Sequence, residues 1–205
     1  MEIFGPADFR EQPWKNGGGV TRELLRAPHP LDPERFAWRV SCATVAASGP
    51  FSVFPGIDRS LMLLDGDGVA LRCGDAAESR MTERGQVWDF SGDMATHCRL
   101  LGGPVRDFNL MVDRSLYRGK LSLIRSGDGP GLIAGAPLCL LYLLTGSIAL
   151  FDSDQKHPCL LNAGELGRFR AGERFSLQSV SMDALAVRVD LHRVTLEHVG
   201  AGNPV

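Results

Sequence analysis

The residues best suited to chemistry in this chain are cations set beside glycines. From Pro13 to Arg22 the sequence reads Pro-Trp-Lys-Asn-Gly-Gly-Gly-Val-Thr-Arg, so Gly17, Gly18 and Gly19 lie between Lys15 and Asn16 on one side and Thr21 and Arg22 on the other. Glycines are costly to order, a cost that close approach to a ligand or to another segment would justify. Two cations and two hydrogen-bonding side chains around them point to an anion cradle; a flexible turn carrying surface charges is the alternative. The run is not a phosphate loop, because no Gly-Lys-Ser/Thr end follows the glycines and Thr21-Arg22-Glu23-Leu24 reads as the start of a strand.

More cations interrupt apolar, strand-like runs. Arg39 falls within Trp38 to Val45, and Arg59 opens Arg59 to Leu64. Both are awkward in an ordinary core but natural at a barrel pocket for a carboxylate, which a guanidinium fork grips bidentately. Along Val105 to Val112 the period of two puts Asp107, Asn109 and Met111 on one face. Asn109 would bond a ligand amide, and Asp107 would hold an arginine in place. The expected ligand-binding set is Lys15, Asn16, Arg22, Arg39, Arg59, Asn109 and Arg114. Trp14, Phe54, Asp107 and the three glycines support it. The competing reading is a structural salt-bridge network of Asp107, Arg39, Arg59 and Arg114 at a barrel mouth. Trp14, Trp38 and Phe54 are candidate walls, although core packing is the commoner use of aromatic rings.

The elements that must position these groups are strands. Helical periodicity is scarce, and short alternating or apolar runs bounded by glycine, proline or aspartate recur throughout. Expected strands run over 20–26, 38–45, 59–64, 69–72, 86–90, 97–101 and 105–112, then over 119–124, 138–144, 147–151, 166–170, 174–179 and 184–192. Helical turns are expected only near 7–11, 32–35 and 113–116. A repeat organises the strands: Leu63-Leu64-Asp65-Gly66 before Val69-Ala70-Leu71 returns as Leu143-Leu144-Thr145-Gly146 before Ile148-Ala149-Leu150, an offset of roughly 80 positions. The expectation is an all-β chain of two like barrels. Residues 1–115 form the first, which holds the pocket, and 116–195 a mainly structural second; 196–205 is a tail. Gly127-Asp128-Gly129-Pro130-Gly131 is the most linker-like stretch. In the second half Gln178 and Arg188 are the few inward-looking polar candidates.

Composition narrows the partners. A formal charge of −2 from 22 Lys and Arg against 24 Asp and Glu offers no general attraction for nucleic acid or an anionic membrane. With no leader-like start and no apolar run long enough to span a bilayer, a soluble cytoplasmic protein is expected. Five widely spaced cysteines without a CxxC pair argue against disulfide or zinc frameworks, and Cys42 and Cys139 read as small core residues.

Four segments together resemble one family: Pro13–Glu23, Phe36-Ala37-Trp38-Arg39-Val40-Ser41, Gly49–Arg59 and Asp107-Phe108-Asn109-Leu110-Met111. The chain is similar to the HutD/Ves family over about 1–192. The resemblance implies a bicupin fold of two tandem jelly rolls and an association with histidine utilisation. Catalytic cupins hold a metal with an HxH pair, a carboxylate and a later histidine. This chain has no HxH, and His29, His97, His157, His192 and His198 are scattered, so no metal and no cofactor are expected. The functional expectation is a metal-free, regulatory binding protein for a small carboxylate metabolite: formylglutamate first, urocanate second. No catalytic residue is assigned, and a homodimer stays open. The alternatives are a metal-independent isomerase or hydrolase using Asp58, Asp107 or Glu23 as base, and a protein-interaction module.

Overall fold

The computed structural model describes residues 1–126, 131–133, 136–152, 158–171 and 173–195. Residues 127–130 of the linker-like stretch, His157, His198 and the 196–205 tail lie outside the described residues. In chain order the strands are β1 (Glu2–Phe4), β2 (Arg10–Pro13), β3 (Gly19–Pro28), β4 (Phe36–Val45), β5 (Gly49–Phe51), β6 (Ile57–Asp65), β7 (Val69–Cys73), β8 (Ser79–Met81), β9 (Val87–Ser91), β10 (Thr96–Leu100) and β11 (Val105–Asp113). There follow β12 (Tyr117–Arg125), β13 (Gly131–Ile133), β14 (Leu138–Thr145), β15 (Ser147–Asp152), β16 (Cys159–Asn162), β17 (Leu166–Arg170), β18 (Phe175–Ser179) and β19 (Leu185–Arg193). Of the expected helical turns, one is a 3-10 turn at Pro6–Asp8. The other two are tight turns closed by Arg35 N to Asp32 O and Leu116 N to Asp113 O. Among the described residues no helix is long and apolar enough to cross a membrane.

Strand order bears out the repeat. One sheet of the first barrel contains β4-β11-β6-β9, matched in the second by β12-β19-β14-β17; the opposing sheets are β5-β10-β7-β8 and β13-β18-β15-β16. Each eight-strand unit is a two-sheet jelly roll. The turns repeat as well. Gly85 N donates to Leu63 O and Gly164 N to Leu143 O, each at 2.8 Å, and Gly66, Gly85, Gly146 and Gly164 all hold positive φ.

Two additions precede the duplicated units. The β2–β3 hairpin extends the first barrel's larger sheet beyond β4, whereas β1 joins the second barrel along β17. The first strand therefore departs from a division of the chain at 115: it pairs with a strand near the other end.

The two barrels meet through their larger sheets. Trp38, Val40, Phe108, Leu110 and Met62 from the first pack with Leu140, Tyr142, Val187 and Val189 from the second in one buried cluster. Each barrel also has its own interior, built on Leu61, Leu71 and Met81 in the first and on Leu141, Leu150 and Phe169 in the second. Strands β4, β6 and β11 thus have both faces covered, one by the other barrel and one by the interior of their own.

Candidate functional site

A cavity of about 660 Å³ opens into the first barrel. Strand parity decides what reaches it. The odd positions of β4 and β11, namely Arg39, Ser41, Ala43, Asp107, Asn109 and Met111, line the cavity together with Arg59 of β6. The even positions Val40, Cys42, Phe108, Leu110 and Val112 face the second barrel. Antiparallel register holds the polar groups side by side, with Asn109 opposite both Ser41 and Leu61, and Met111 opposite both Arg39 and Arg59.

Arg59 is the centre of the site. It is only 8% exposed, and its guanidinium lies 4.7 Å from the Phe90 ring centre, 5.3 Å from Phe51 and 5.6 Å from Phe54. Three aromatic faces restrain the plane of the fork and offer it cation–π attraction. Nη2 donates to Asn109 Oδ1 at 3.1 Å, and Nη1 makes a long bond of 3.4 Å to Ser52 O. Among the described residues Nε has no hydrogen-bond partner and is sealed from solvent, while each Nη, with two N–H groups and one bond, keeps an N–H to spare. Donors therefore remain for an incoming acceptor. Burial lowers the Arg59 pKa to about 10, with Asp107 acting in the opposite sense.

Behind Arg59 the relay continues. Asn109 Nδ2 donates to Asp107 Oδ1 at 2.6 Å, and Asp107 is 2% exposed. Burial pushes the Asp107 carboxyl up to about 7, against the pull of Arg59, Asn109 and the Ala43 amide. Each charged group is thus desolvated more than its partner compensates. Arg39 stands beside this chain with Nε 2.8 Å from Glu23 Oε2 in an ion pair, although the N–H is not aligned for a hydrogen bond.

The β2–β3 hairpin forms the rim. Its glycines do not line the cavity, and two of their amides are used internally: Gly17 N donates to Trp14 O and Gly18 N to Asn16 Oδ1, both at 3.0 Å. Of the expected anion cradle, the glycines form a closed turn, while Lys15, Asn16 and Thr21 line the cavity. Gly17 is required by its φ of +70°, and Gly19 by contact, since a Cβ there would lie 2.4 Å from Thr44 O. The turn presents the exposed Lys15 and Asn16 to the opening. Trp14 is pinned by its Nε1 donating to Thr21 Oγ1 at 2.8 Å and stands edge-on to Phe51.

Of the expected ligand-binding residues, Lys15, Asn16, Arg39, Arg59 and Asn109 converge on the cavity, with Trp14, Phe54 and Asp107 in support. Two do not. Arg22 has the opposite parity to Thr21 and Glu23, and it projects to solvent, where Nε donates to Glu11 at 3.0 Å. Arg114 lies beyond the end of β11 and clamps a turn: Nε bonds Asp58 at 2.8 Å, and Nη2 bonds Ser91 Oγ at 2.8 Å and Ile57 O at 3.0 Å. Its role is structural. Trp38 is buried between the barrels rather than walling the cavity. The other proposed bases are committed elsewhere, Glu23 to Arg39 and Asp58 to Arg114; Asp58 borders a separate hollow of about 340 Å³.

In the second barrel Gln178 is exposed rather than inward-looking, and Arg188 is paired with Asp190 at 2.9 Å. His97 and His192 are exposed, while His29 is largely covered, 3.8 Å from Asp113. Ser41 and Ala43 were legible by their parity with Arg39. Phe51 ends and Ser52 follows β5, a three-residue strand too short to signal its orientation.

A cupin-type fold raises the question of a transition metal. The cavity is lined by a single carboxyl, that of Asp107, beside the cations Lys15, Arg39 and Arg59 and several neutral amides and hydroxyls, with no imidazole, so these groups do not fit such a centre. Among the described residues no three His, Cys, Asp or Glu side chains form a metal-binding group.

Fold and cavity together define a duplicated cupin-type barrel protein whose first barrel holds a cavity lined by Arg39 and Arg59 and by no histidine. The family model named HutD matches residues 6–187, and the chain belongs to that family, which is linked to a histidine-utilisation region. It is 40% identical over 150 residues to a 21.2 kDa protein of the hutC 3′ region of Pseudomonas putida, covering 72% of this chain and 76% of that one. Protein Ves of Cronobacter sakazakii is 34% identical over 153 residues, 74% of this chain and 81% of its own. The structure of HutD from Pseudomonas fluorescens SBW25 superposes with a TM-score of 0.77 at 27% identity, covering 95% of this chain and 99% of that one. Oxalate decarboxylase from Lactobacillus farciminis shares the fold alone, with a TM-score of 0.64 at 9% identity over 95% of this chain and 88% of its own.

Proposed function

We propose that this protein is a metal-free binding module for a small carboxylate metabolite of histidine utilisation, with a regulatory rather than catalytic role. The observation that carries the reading is Arg59, a buried guanidinium held by three aromatic rings at the cavity wall with donors left uncommitted. A carboxylate is the complement of that fork. Arg39 and Lys15 add positive charge along the same cavity, and Asn16 keeps its side-chain amide N–H groups for a second polar group because its Oδ1 is occupied. Formylglutamate, which combines two carboxylates with an amide, suits this set better than urocanate, whose flat ring leaves the amide-bonding groups unused. The test is calorimetric titration of the full chain with formylglutamate, glutamate and urocanate. Saturable binding of formylglutamate, weakened at least about tenfold in Arg59→Ala, is expected; heats indistinguishable from dilution for all three would refute the reading.

A second reading rests on Asp107. A carboxyl that titrates near neutrality at the wall of a cavity is placed for metal-independent acid–base chemistry. Product analysis after long incubation with the same three compounds separates the readings: turnover lost in Asp107→Asn supports an isomerase or hydrolase.

A further inference from the structure

We infer that Asp107 becomes fully protonated from solvent as a carboxylate ligand settles on Arg59, so that this cavity binds anion and proton together. The inference rests on the binding role proposed above.

Arg59, Asn109 and Asp107 form a single hydrogen-bonded chain, with links of 3.1 and 2.6 Å, and both charged ends are almost fully buried. Among the described residues Asp107 has no ion pair within 4.0 Å. Its compensation comes from the Ala43 amide on β4, from Asn109 beside it on β11, and through Asn109 from Arg59 on β6. The other titratable groups packed towards it are Cys98 on β10 and, through the sheet, Cys42 on β4, both thiols pushed up to about 12 and hence neutral near pH 7. Arg39 acts on it at one remove, by repelling Arg59, and is itself paired with Glu23. Among the described residues, Arg59 is therefore the cation that holds Asp107 ionised.

A ligand carboxylate on the open face of Arg59 neutralises that cation and brings a second negative charge to the same buried chain. Two carboxylates around one guanidinium in a desolvated site cannot both stay ionised at ordinary cost, and the one without direct contact to the fork accepts the proton. The balanced step is ligand carboxylate plus one solvent proton plus ionised Asp107 giving the complex with neutral Asp107. No bond other than the new O–H is made or broken. Because free Asp107 already titrates about 7, it is half protonated there. Uptake at pH 7 is then about half a proton per ligand, approaching one near pH 8. Affinity falls towards tenfold per pH unit above that point.

The experiment is calorimetric titration of the full chain with formylglutamate in buffers of different ionisation enthalpy at pH 6.5, 7.0 and 8.0. It is repeated with Asp107→Asn, and accompanied by carbon-13 NMR of the Asp107 carboxyl in wild type with and without ligand. Buffer-dependent heats giving proton uptake that rises with pH, absent from Asp107→Asn together with the pH dependence of affinity, are expected. The carboxyl should shift to its protonated position on saturation. Binding with buffer-independent heats, or an Asp107 signal that stays ionised at saturation, overturns the inference and leaves the binding role standing. No binding at any pH overturns both. Where Asp107→Asn does not fold, the wild-type heats and the carboxyl signal decide the matter.

Discussion

Replacement of Arg59 probes the cavity most sharply. Its guanidinium has three distinct contacts: the aromatic faces of Phe51, Phe54 and Phe90, the bond to Asn109, and the donors free for ligand. Arg59→Lys keeps a charge but loses the planar fork, the stacking surface and the fixed pair of donors. A charge-assisted hydrogen bond to ligand contributes about 1.5–3 kcal/mol, so either Arg59→Ala or Arg59→Lys should weaken formylglutamate binding by about ten- to a hundredfold. Arg59→Ala also removes the cation that keeps Asp107 ionised, so Asp107 turns neutral and part of the folding penalty is relieved. The alanine variant should therefore fold, with a changed pH profile. The assay is calorimetry beside melting curves, with Arg84→Ala as control, because Arg84 is exposed and paired with Asp65 away from the cavity. Wild-type affinity in a folded Arg59→Ala would refute the placement of the site.

Gly19→Ala forces a Cβ against the Thr44 carbonyl and the Trp14 ring, so it should lower the melting temperature and weaken ligand binding together, as thermal shift and titration would show. Gly17→Ala, strained only by its φ of +70°, should cost about 1 kcal/mol of stability with a smaller effect on affinity. Arg114→Ala should lower the melting temperature by freeing the turn that joins Asp58, Ser91 and Ile57, yet leave ligand affinity within about twofold if its role is purely structural; a large loss of affinity would return Arg114 to the site. Protein purified without chelator or affinity tag should contain no stoichiometric iron, manganese, nickel or zinc by elemental analysis, as the donor groups of the cavity require.

Much of this was legible where a strand is long enough to show its period. Asp107, Asn109 and Met111 fell on one face of β11 because the side-chain period of two holds through a nine-residue strand, and Arg39 and Arg59 stood out as charges in apolar runs. The duplication was readable because positive-φ glycines recur at matching turns. Arg22 misled because charge was read without parity: Thr21 points into the cavity, so its neighbour cannot. Arg114 misled because it follows the strand, where alternation no longer applies. The glycine run was rightly singled out as conformationally special, but its demand comes from a hairpin packed against Thr44 and Trp14 rather than from an anion. The pairing of β1 had no local signal at all, since three residues cannot disclose a partner elsewhere in the chain.

That pairing has a consequence for how the molecule is assembled. Glu2 lies opposite Arg168, a separation of 166 residues, and both Arg168 and Arg170 reach its carboxylate. Growing from its N-terminal end, the chain must keep β1 waiting until nearly every other strand exists. Closing so long a loop is a late and slow event, and the edge of β17 stays bare until it happens. Severing the chain between the repeats would thus leave one piece with a strand it cannot use and the other with an unfinished edge beside an exposed apolar sheet. Although two copies of one unit are visible in it, the protein matures as a single object.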